Sequence, residues 1–441
     1  MKETILQFGT GNFLRGFADY FIDSLNKSGL YDGKIVIVSP TDSKTVDLIN
    51  KQNGRYNLIL RGIENGKEIC ERNEVNAVSR AVNPYRDFEA FLALANNPDL
   101  RFIISNTTEA GICFDDSCKL TDKPAASFPA KLTRFLYERF KNKLDGFVIL
   151  ACELIDNNGK ELERCVLEYA RLWNLGDDFA EWVMTENKFC NTLVDRIVTG
   201  YPKNEAEKIF EEIGVRDELL DTAEPYHLWV IEGDFEDELP LKKAGFNVIW
   251  TNDVSPYKKM KVRILNGSHT SLVFPSLLCG VEAVGDSIKD MQLNSFLNYC
   301  LFDYILPVIG ETEGNRQFAN AVLERFANPY IRHLWKSISL NSVSKFRARV
   351  LSTVNDYIEN NNSLPKPFIF SLACLIEYYK TNEVQDDKTA VEVIKNGNTE
   401  DILKNTALWG KDLTATKGIV DESLERIHND GIREAIAWSM S

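Results

Sequence analysis

The sequence predicts an α/β protein: a Rossmann-type doubly wound sheet with an antiparallel insertion, followed by a mainly α-helical C-terminal region. Three observations predict it. The first forty residues read as strand, glycine turn, helix and strand; strand and helix then alternate through the middle of the chain; and beyond about residue 253 apolar positions recur at helical spacing nearly to the end. A chain of 441 residues exceeds one ordinary core. The boundary is placed in WTNDVSPYKK, where Asn252, Asp253, Ser255 and Pro256 favour a turn or helix start, giving domains over 1–252 and 253–441.

The opening unit consists of ETILQF, GTGN, FLRGFADYFIDSLNKSG and KIVIVS, a βαβ arrangement. Gly9 and Gly11 form G-x-G directly after the apolar run, where a tight turn and a close approach to a pyrophosphate are needed at a helix N-terminus. The fingerprint is partial: Leu14 stands at the third glycine position and Gly16 follows two residues later. No acidic residue ends the second strand, but Asp42 in SPTDSK can either reach ribose hydroxyls or cap a turn. With no arginine in that loop, NAD is favoured over NADP.

Next, YNLILRGIENGKEICERNEV carries two strand-like runs around Asn65-Gly66, the signal for a hairpin with a type I′ turn. A helix over RDFEAFLALANN, a strand at RFIIS, the loop NTTEAGI, a helix at PAKLTRFLYERFK and a strand at FVILACEL resume the alternation. Ligands of open α/β sheets bind beyond the strand C-termini. That places Asn106, Thr107, Thr108, Glu109, Glu153, Asn157 and Asn158 on the functional edge. Helical patterns run from about 158 to 200, and EPYHLWVIEGD and FNVIW read as two short strands. The remainder is read as helices, including SFLNYCLFDYILPVI, QFANAVLERFAN, SKFRARVLSTVNDYIE and FIFSLACLIEYYKT.

A formal net charge of −14 repels nucleic acid and anionic membrane, so neither is expected as a partner. No signal-peptide core or run of about 18 apolar residues occurs, and a cytoplasmic location is expected. Nine cysteines lack any CxxC pair or ligand-like spacing with the four histidines; reduced thiols and no metal site are expected. A monomer or weak homodimer is expected.

The stretch KVRILNGSHT sets Lys261, Asn266 and His269 apart by five and three residues. On an α-helix His269 falls about 80° and Asn266 about 140° around from Lys261, so one broad face can carry an amine, an amide and an imidazole. Hydride reduction of a ketone generates an alkoxide, and such a set supplies its proton and its hydrogen-bond donors without a metal. A solvated lysine beside a capping Asn-Gly accounts for the same residues. Lys258 falls within the same arc, so spacing does not select between the two lysines.

Several segments together resemble the polyol-specific long-chain dehydrogenases, the mannitol dehydrogenase family: Gly9, Gly11, Phe13 and Arg15 in GTGNFLRGF, then SNTTEAGI, CELIDNNG, NTLVDRI, KVRILNGSH, RFANPYIRH and SLNSVSKFRARV. They span most of the chain in order. The resemblance implies an N-terminal Rossmann-type domain, a helical C-terminal domain, NAD dependence and metal-independent chemistry. It implies Lys261 as general acid/base, Asn266 and His269 as oxygen donors, and a further Asn, assigned here to Asn158 although Leu154 stands where some members have Asn. It adds Asn12, Phe13 and Arg15 to Gly9, Gly11, Asp42, Asn106 and Thr107 as cofactor residues.

SNTTEAGI, CELIDNNG and SLNSVSKFRARV fit best the members acting on keto-uronates and the corresponding aldonates. Such a substrate carries a carboxylate, and Lys345 and Arg349, four apart on one helical face, are the expected clamp, with Arg347 directed elsewhere. His333 is a further candidate substrate contact; His227 reads as packed near a strand edge and His428 as a surface residue on a late charged helix. The rival readings are fructuronate or mannitol as substrate, or a catalytically silent dinucleotide-binding regulator, against which the complete Lys-Asn-His set argues.

Overall fold

The computed structural model describes residues 1–108 and 110–441; Glu109, placed by the sequence on the sheet edge, lies outside the described residues. Two compact units form, one of Met1–Arg61 with Ile69–Ser255, the other of Gly62–Glu68 with Pro256–Ser441.

In the first unit β1 (Lys2–Phe8) runs into the glycine turn and a helix of three consecutive segments, Asn12–Leu14, the π-helical Arg15–Asp19, and Tyr20–Lys27. β2 (Gly33–Val38) follows. The insertion supplies β3 (Tyr56–Glu64) and β4 (Lys67–Val75), and between them Asn65 and Gly66 take φ of 53° and 72°, the pair of positive values a type I′ turn needs. β5 (Val78–Val82), β6 (Phe102–Ser105), β7 (Val148–Ala151) and β8 (Lys188–Cys190) complete a six-stranded sheet of order β5-β2-β1-β6-β7-β8. Every neighbouring pair in it is parallel.

Counting only its own strands, this is the order 3-2-1-4-5-6 of dinucleotide-binding sheets, with the reversal at β1 and β6. The doubly wound sheet expected from sequence is thus present. Alternate residues divide between two cores: Ile35 and Ile37 pack on one face of the sheet with Ile5 and Ile104, while Val36 and Val38 pack on the other with Leu6 and Ile103. A strand buried on both faces has no polar alternation, which is why these segments read as unbroken apolar runs. Each such side chain contributes about 1.5–3 kcal/mol by leaving water.

The helical pattern expected over 158–200 ends earlier. Asn158–Leu172 and Asp177–Glu186 are helices, but β8 and β9 (Thr192–Asp195) follow. β8 extends the main sheet at β7, and β9 pairs antiparallel with β11 (Leu228–Glu232), itself parallel to β12 (Val248–Thr251). Tertiary pairing outweighs the local pattern here. β10 (Asp221–Ala223) pairs parallel with β3, completing a three-stranded sheet β10-β3-β4.

His227 closes the turn before β11. Its Nδ1 lies 3.1 Å from Pro225 O and its Nε2 accepts from Asn247 N at 3.0 Å, an arrangement only the neutral ring with hydrogen on Nδ1 satisfies. Burial, then the Arg196 guanidinium, pushes the imidazole down to about 4. Between pH 4 and 6.5 the unfolded chain binds this proton and the folded chain does not, so stability rises with pH across that window. On acidification from pH 7.5 to 5 the wild type is expected to lose about 2 kcal/mol through this group. Urea unfolding at the two pH values checks it: His227→Gln, which retains an acceptor for Asn247, is expected to lack that increment.

The second unit is helical. Ser268–Leu278 packs against the long apolar helix Lys366–Thr381. Pro275, inside the first of these, has no N–H to offer the carbonyl of Ser271, and that carbonyl accepts from Ser371 Oγ on the second at 2.8 Å. Also within this unit, Glu324 accepts from Asn65 N at 3.2 Å and Gly66 N at 2.7 Å. No described helix is long and apolar enough to cross a membrane.

Candidate active site

At the sheet's reversal point, Gly9 has φ of +136°, a conformation that disfavours side chains, and a Cβ there would lie 2.8 Å from Asn106 O. A Cβ on Gly11 would meet nothing within 4 Å, so the space above the turn is open to a ligand. The missing third glycine is replaced in packing by Gly16, whose Cβ would stand 3.0 Å from Val198 Cγ1. Close packing of the helix is therefore retained two residues late.

Arg15 is buried and braces the turn from beneath. Its guanidinium donates to Thr10 O at 3.0 Å and to Asn12 Oδ1 at 2.5 Å, and Nε stands 3.9 Å from Asp221 Oδ2. A group so committed shapes the turn on which the expected cofactor residues sit. Tyr56 Oη lies 3.0 Å from Arg15 O and 3.1 Å from Asp19 Oδ2, donating into this pair of acceptors. Burial pushes the Asp19 and Asp221 carboxyls up to about 7. Phe13 is half-buried and stacks on Phe17, with ring centroids 5.0 Å apart, whereas Asn12 is exposed at the turn. Asp42 is exposed just past β2, accepting from Asn83 Nδ2 at 2.7 Å and Arg86 Nε at 3.2 Å. Arg86, 44 residues on, also forks onto both oxygens of Asp47. Sequence reading had no signal for this pairing.

The loops after β6 and β7 are joined by Glu153, a buried carboxylate that accepts from Ser105 Oγ, Thr107 N and Thr107 Oγ1, each at 3.0 Å. Burial raises its carboxyl above the ordinary range, against these hydrogen bonds. Asn106 donates from its side chain to Cys152 O at 2.7 Å and from its main chain to Phe8 O at 3.0 Å. Asn106 and Thr107 thus form the rim beside Gly9.

The Asn158 side chain is committed to the backbone around it. It is 1 % exposed; its Nδ2 donates to Glu153 O and Thr192 O, both at 3.0 Å, and its Oδ1 accepts from Gly159 N and Thr192 N, both at 2.9 Å. Both amide hydrogens are spent on backbone, so the residue positions the β7 edge. Asn158→Ala is expected to cost about 2–4 kcal/mol in stability, because buried backbone groups lose their partners, measurable by urea unfolding.

In the second unit the candidate trio lies along one helix. Ser255–Lys261 continues into a π-helical stretch, Val262–Gly267, and then Ser268–Leu278. A π-turn bonds i to i+5, so Lys261 and Asn266 lie about one turn apart, closer in azimuth than the roughly 140° of an α-helix. Gly267 is helical (φ −62°), not a capping residue, and a Cβ on it would stand 3.3 Å from Arg349 O. That close approach seats the end of helix Ser342–Arg349 beside the trio. Arg263 anchors the π-stretch, donating to Thr353 Oγ1 and Asp356 Oδ2 at 2.8 Å each.

Lys261, Asn266 and His269 are half-buried. The His269 ring stacks on Phe326 at 4.1 Å and stands edge-on to His333 at 5.5 Å and Trp335 at 6.0 Å. Burial, and then the Lys345 ammonium, lowers the His333 imidazole. Burial, and then Arg349, lowers Lys345, whose Nζ donates to Ile338 O at 2.8 Å. Asp386 opposes that effect, but its Oδ2 already accepts from Tyr379 Oη at 2.6 Å and Val343 N at 2.9 Å. Arg349 is half-buried and, among the described residues, its guanidinium has no carboxylate or hydrogen-bond partner. Arg347 turns toward Gly410 instead. His428 pairs with Glu377 at 2.9 Å. No cluster of three or more His, Cys, Asp or Glu side chains suited to a metal ion occurs among the described residues.

A model of the mannitol dehydrogenase Rossmann domain matches residues 3–243 and a model of the mannitol dehydrogenase C-terminal domain matches residues 253–429. The chain belongs to the mannitol dehydrogenase family. Among its relatives, the altronate oxidoreductase of Bacillus subtilis (strain 168) is 41% identical, with 98% of this chain and 94% of that protein covered. The altronate oxidoreductase of Yersinia enterocolitica is 42% identical, with 99% and 96% covered. A substrate-free crystal structure of D-sorbitol dehydrogenase superposes with a TM-score of 0.89 at 25% identity, covering 99% of this chain and 95% of that one. Pseudomonas fluorescens mannitol 2-dehydrogenase, solved as a ternary complex with NAD and D-mannitol, shares the fold with a TM-score of 0.72 at 20% identity, covering 99% and 94%. As a member of the mannitol dehydrogenase family, this protein is an oxidoreductase acting on CH–OH groups of a small polyol or sugar acid with a dinucleotide cofactor.

Proposed function

We propose that the protein interconverts D-tagaturonate and D-altronate with NAD(H), acting as a tagaturonate reductase (altronate oxidoreductase) in hexuronate breakdown. The observation that carries the choice of a carboxylate substrate is Arg349, a half-buried guanidinium without an anionic partner among the described residues, in the same unit as Lys261, Asn266 and His269. A neutral polyol offers such a group only uncharged hydroxyl oxygens; a uronate carboxylate pairs its charge and accepts two parallel hydrogen bonds from it. The similarity to altronate oxidoreductases supports the same choice.

The glycine turn fits a dinucleotide, since Gly9 and Gly11 leave an edge free of side chains at a helix N-terminus. Gly9, Gly11 and Asn12 would hold the pyrophosphate, and Asp42 the ribose hydroxyls. Asp42 and Asp47 both pair with Arg86, which favours NAD over a 2′-phosphorylated cofactor. When bound, the nicotinamide supplies or accepts the hydride at the substrate carbon. In reduction Lys261 Nζ gives a proton to the carbonyl oxygen while Asn266 and His269 donate hydrogen bonds to it; in oxidation Lys261 takes that proton back. Lys345 and Arg349 hold the carboxylate, and His333, edge-on to His269, is a further substrate contact.

The test is NADH oxidation with tagaturonate, fructuronate and fructose side by side. The highest kcat/KM with tagaturonate is expected; a preference for fructuronate or fructose reassigns the substrate, and NADH binding without turnover on any of the three removes the catalytic reading.

A further inference from the structure

The first unit holds another concavity, of 310 Å³, with Arg55, Arg72 and Arg216 around Tyr56, Asn57 and Asp217. In a chain of formal charge −14, three guanidiniums about one cavity run against the overall field. Among the described residues neither Arg55 nor Arg72 has a side-chain hydrogen bond or an ion pair. Arg216 is held by Glu207 at 3.0 Å, in an exposed pair that contributes little and is readily exchanged.

Asp217 does not neutralise them. It is 2 % exposed, and its carboxylate accepts from Gln52 Nε2 at 2.8 Å, Leu219 N at 3.0 Å, Asn57 N at 2.6 Å and Asn57 Nδ2 at 2.9 Å, so its acceptor capacity is spent on the wall. Glu74 is the other acid at the cavity, and it is exposed at the end of β4. Tyr56 gives a fixed floor: it is buried and its hydroxyl is held by Arg15 O and Asp19. The volume is that of a small-molecule site, far below what a polyanionic strand needs.

We propose that this cavity binds a small multivalent oxyanion, through forked contacts from Arg55 and Arg72 with Arg216 at the rim. Guanidinium forks match the oxygen spacing of phosphate and carboxylate groups. The inference is independent of the substrate assigned above, because the residues lining the cavity lie outside the candidate catalytic and cofactor sets.

The experiment is isothermal titration of the full chain, saturated with NADH so that the glycine turn is occupied, with inorganic phosphate and separately with citrate, at ionic strength held constant with chloride. Saturable binding of at least one of the two anions is expected, and which of them binds identifies a phosphate-bearing or a polycarboxylate ligand. Arg55→Ala/Arg72→Ala is expected to weaken it roughly tenfold or more, the loss of one charge-assisted contact or two, with NADH affinity unchanged. Absence of saturable binding for both anions, or equal affinity in the double variant, overturns the proposal.

Discussion

Replacing Lys261 with alanine is expected to lower kcat for altronate oxidation by about two to four orders of magnitude, the usual contribution of a positioned general acid/base. The proton must leave the substrate oxygen as the hydride leaves the carbon, and the Asn266 amide cannot accept it. The pH–rate profile of the wild type should rise on a single ionisation that vanishes in the variant. A small amine added to the Lys261→Ala protein should restore part of the rate, which a merely structural lysine would not allow. Lys259 is already paired with Asp356 at 3.6 Å, and Lys258→Ala is expected to stay within a few fold of wild type. Near-normal turnover in Lys261→Ala, or a collapse in Lys258→Ala with Lys261→Ala intact, would overturn the assignment.

The parallel sheet was legible because its strands are buried on both faces: Ile35–Val38 has no polar alternation to confuse with a surface element. The Asn65-Gly66 turn was legible because few residues tolerate successive positive φ values. The route of Val262–Gly267 was not. One extra residue in a helical turn leaves no mark in composition; it is fixed by packing, here by Arg263 reaching Thr353 and Asp356 and by Gly267 admitting the Arg349 carbonyl. The partners of Asn158 were not legible for a related reason. An asparagine at a strand edge looks the same in sequence whether its amide faces a ligand or, as here, ties Glu153 O to Thr192 O. Arg15 is a third case, since its motif position says nothing of the buried Asp221 beside it. Long-range partners such as Arg86 for Asp42 cannot be read from spacing at all.

The carboxylate clamp gives the second large effect. Arg349→Ala is expected to reduce kcat/KM for altronate by roughly one to two orders of magnitude, carried mainly by KM, because hydrogen bonds to a charged group contribute about 1.5–3 kcal/mol. The kcat/KM for a neutral polyol should be nearly indifferent to the change, and that contrast separates a substrate contact from general damage. Stability should fall little, since the guanidinium has no protein partner among the described residues to lose. Arg349→Lys keeps a charge but not the fork and should recover only part of the affinity. Lys345→Ala is expected to act in the same direction with smaller size, because its ammonium is shared with Ile338 O. Arg347→Ala, whose side chain packs at Gly410, should leave KM for altronate unchanged. Equal losses for altronate and for the neutral polyol in Arg349→Ala would remove the clamp and, with it, the main physical reason for preferring a uronate substrate over a plain sugar alcohol.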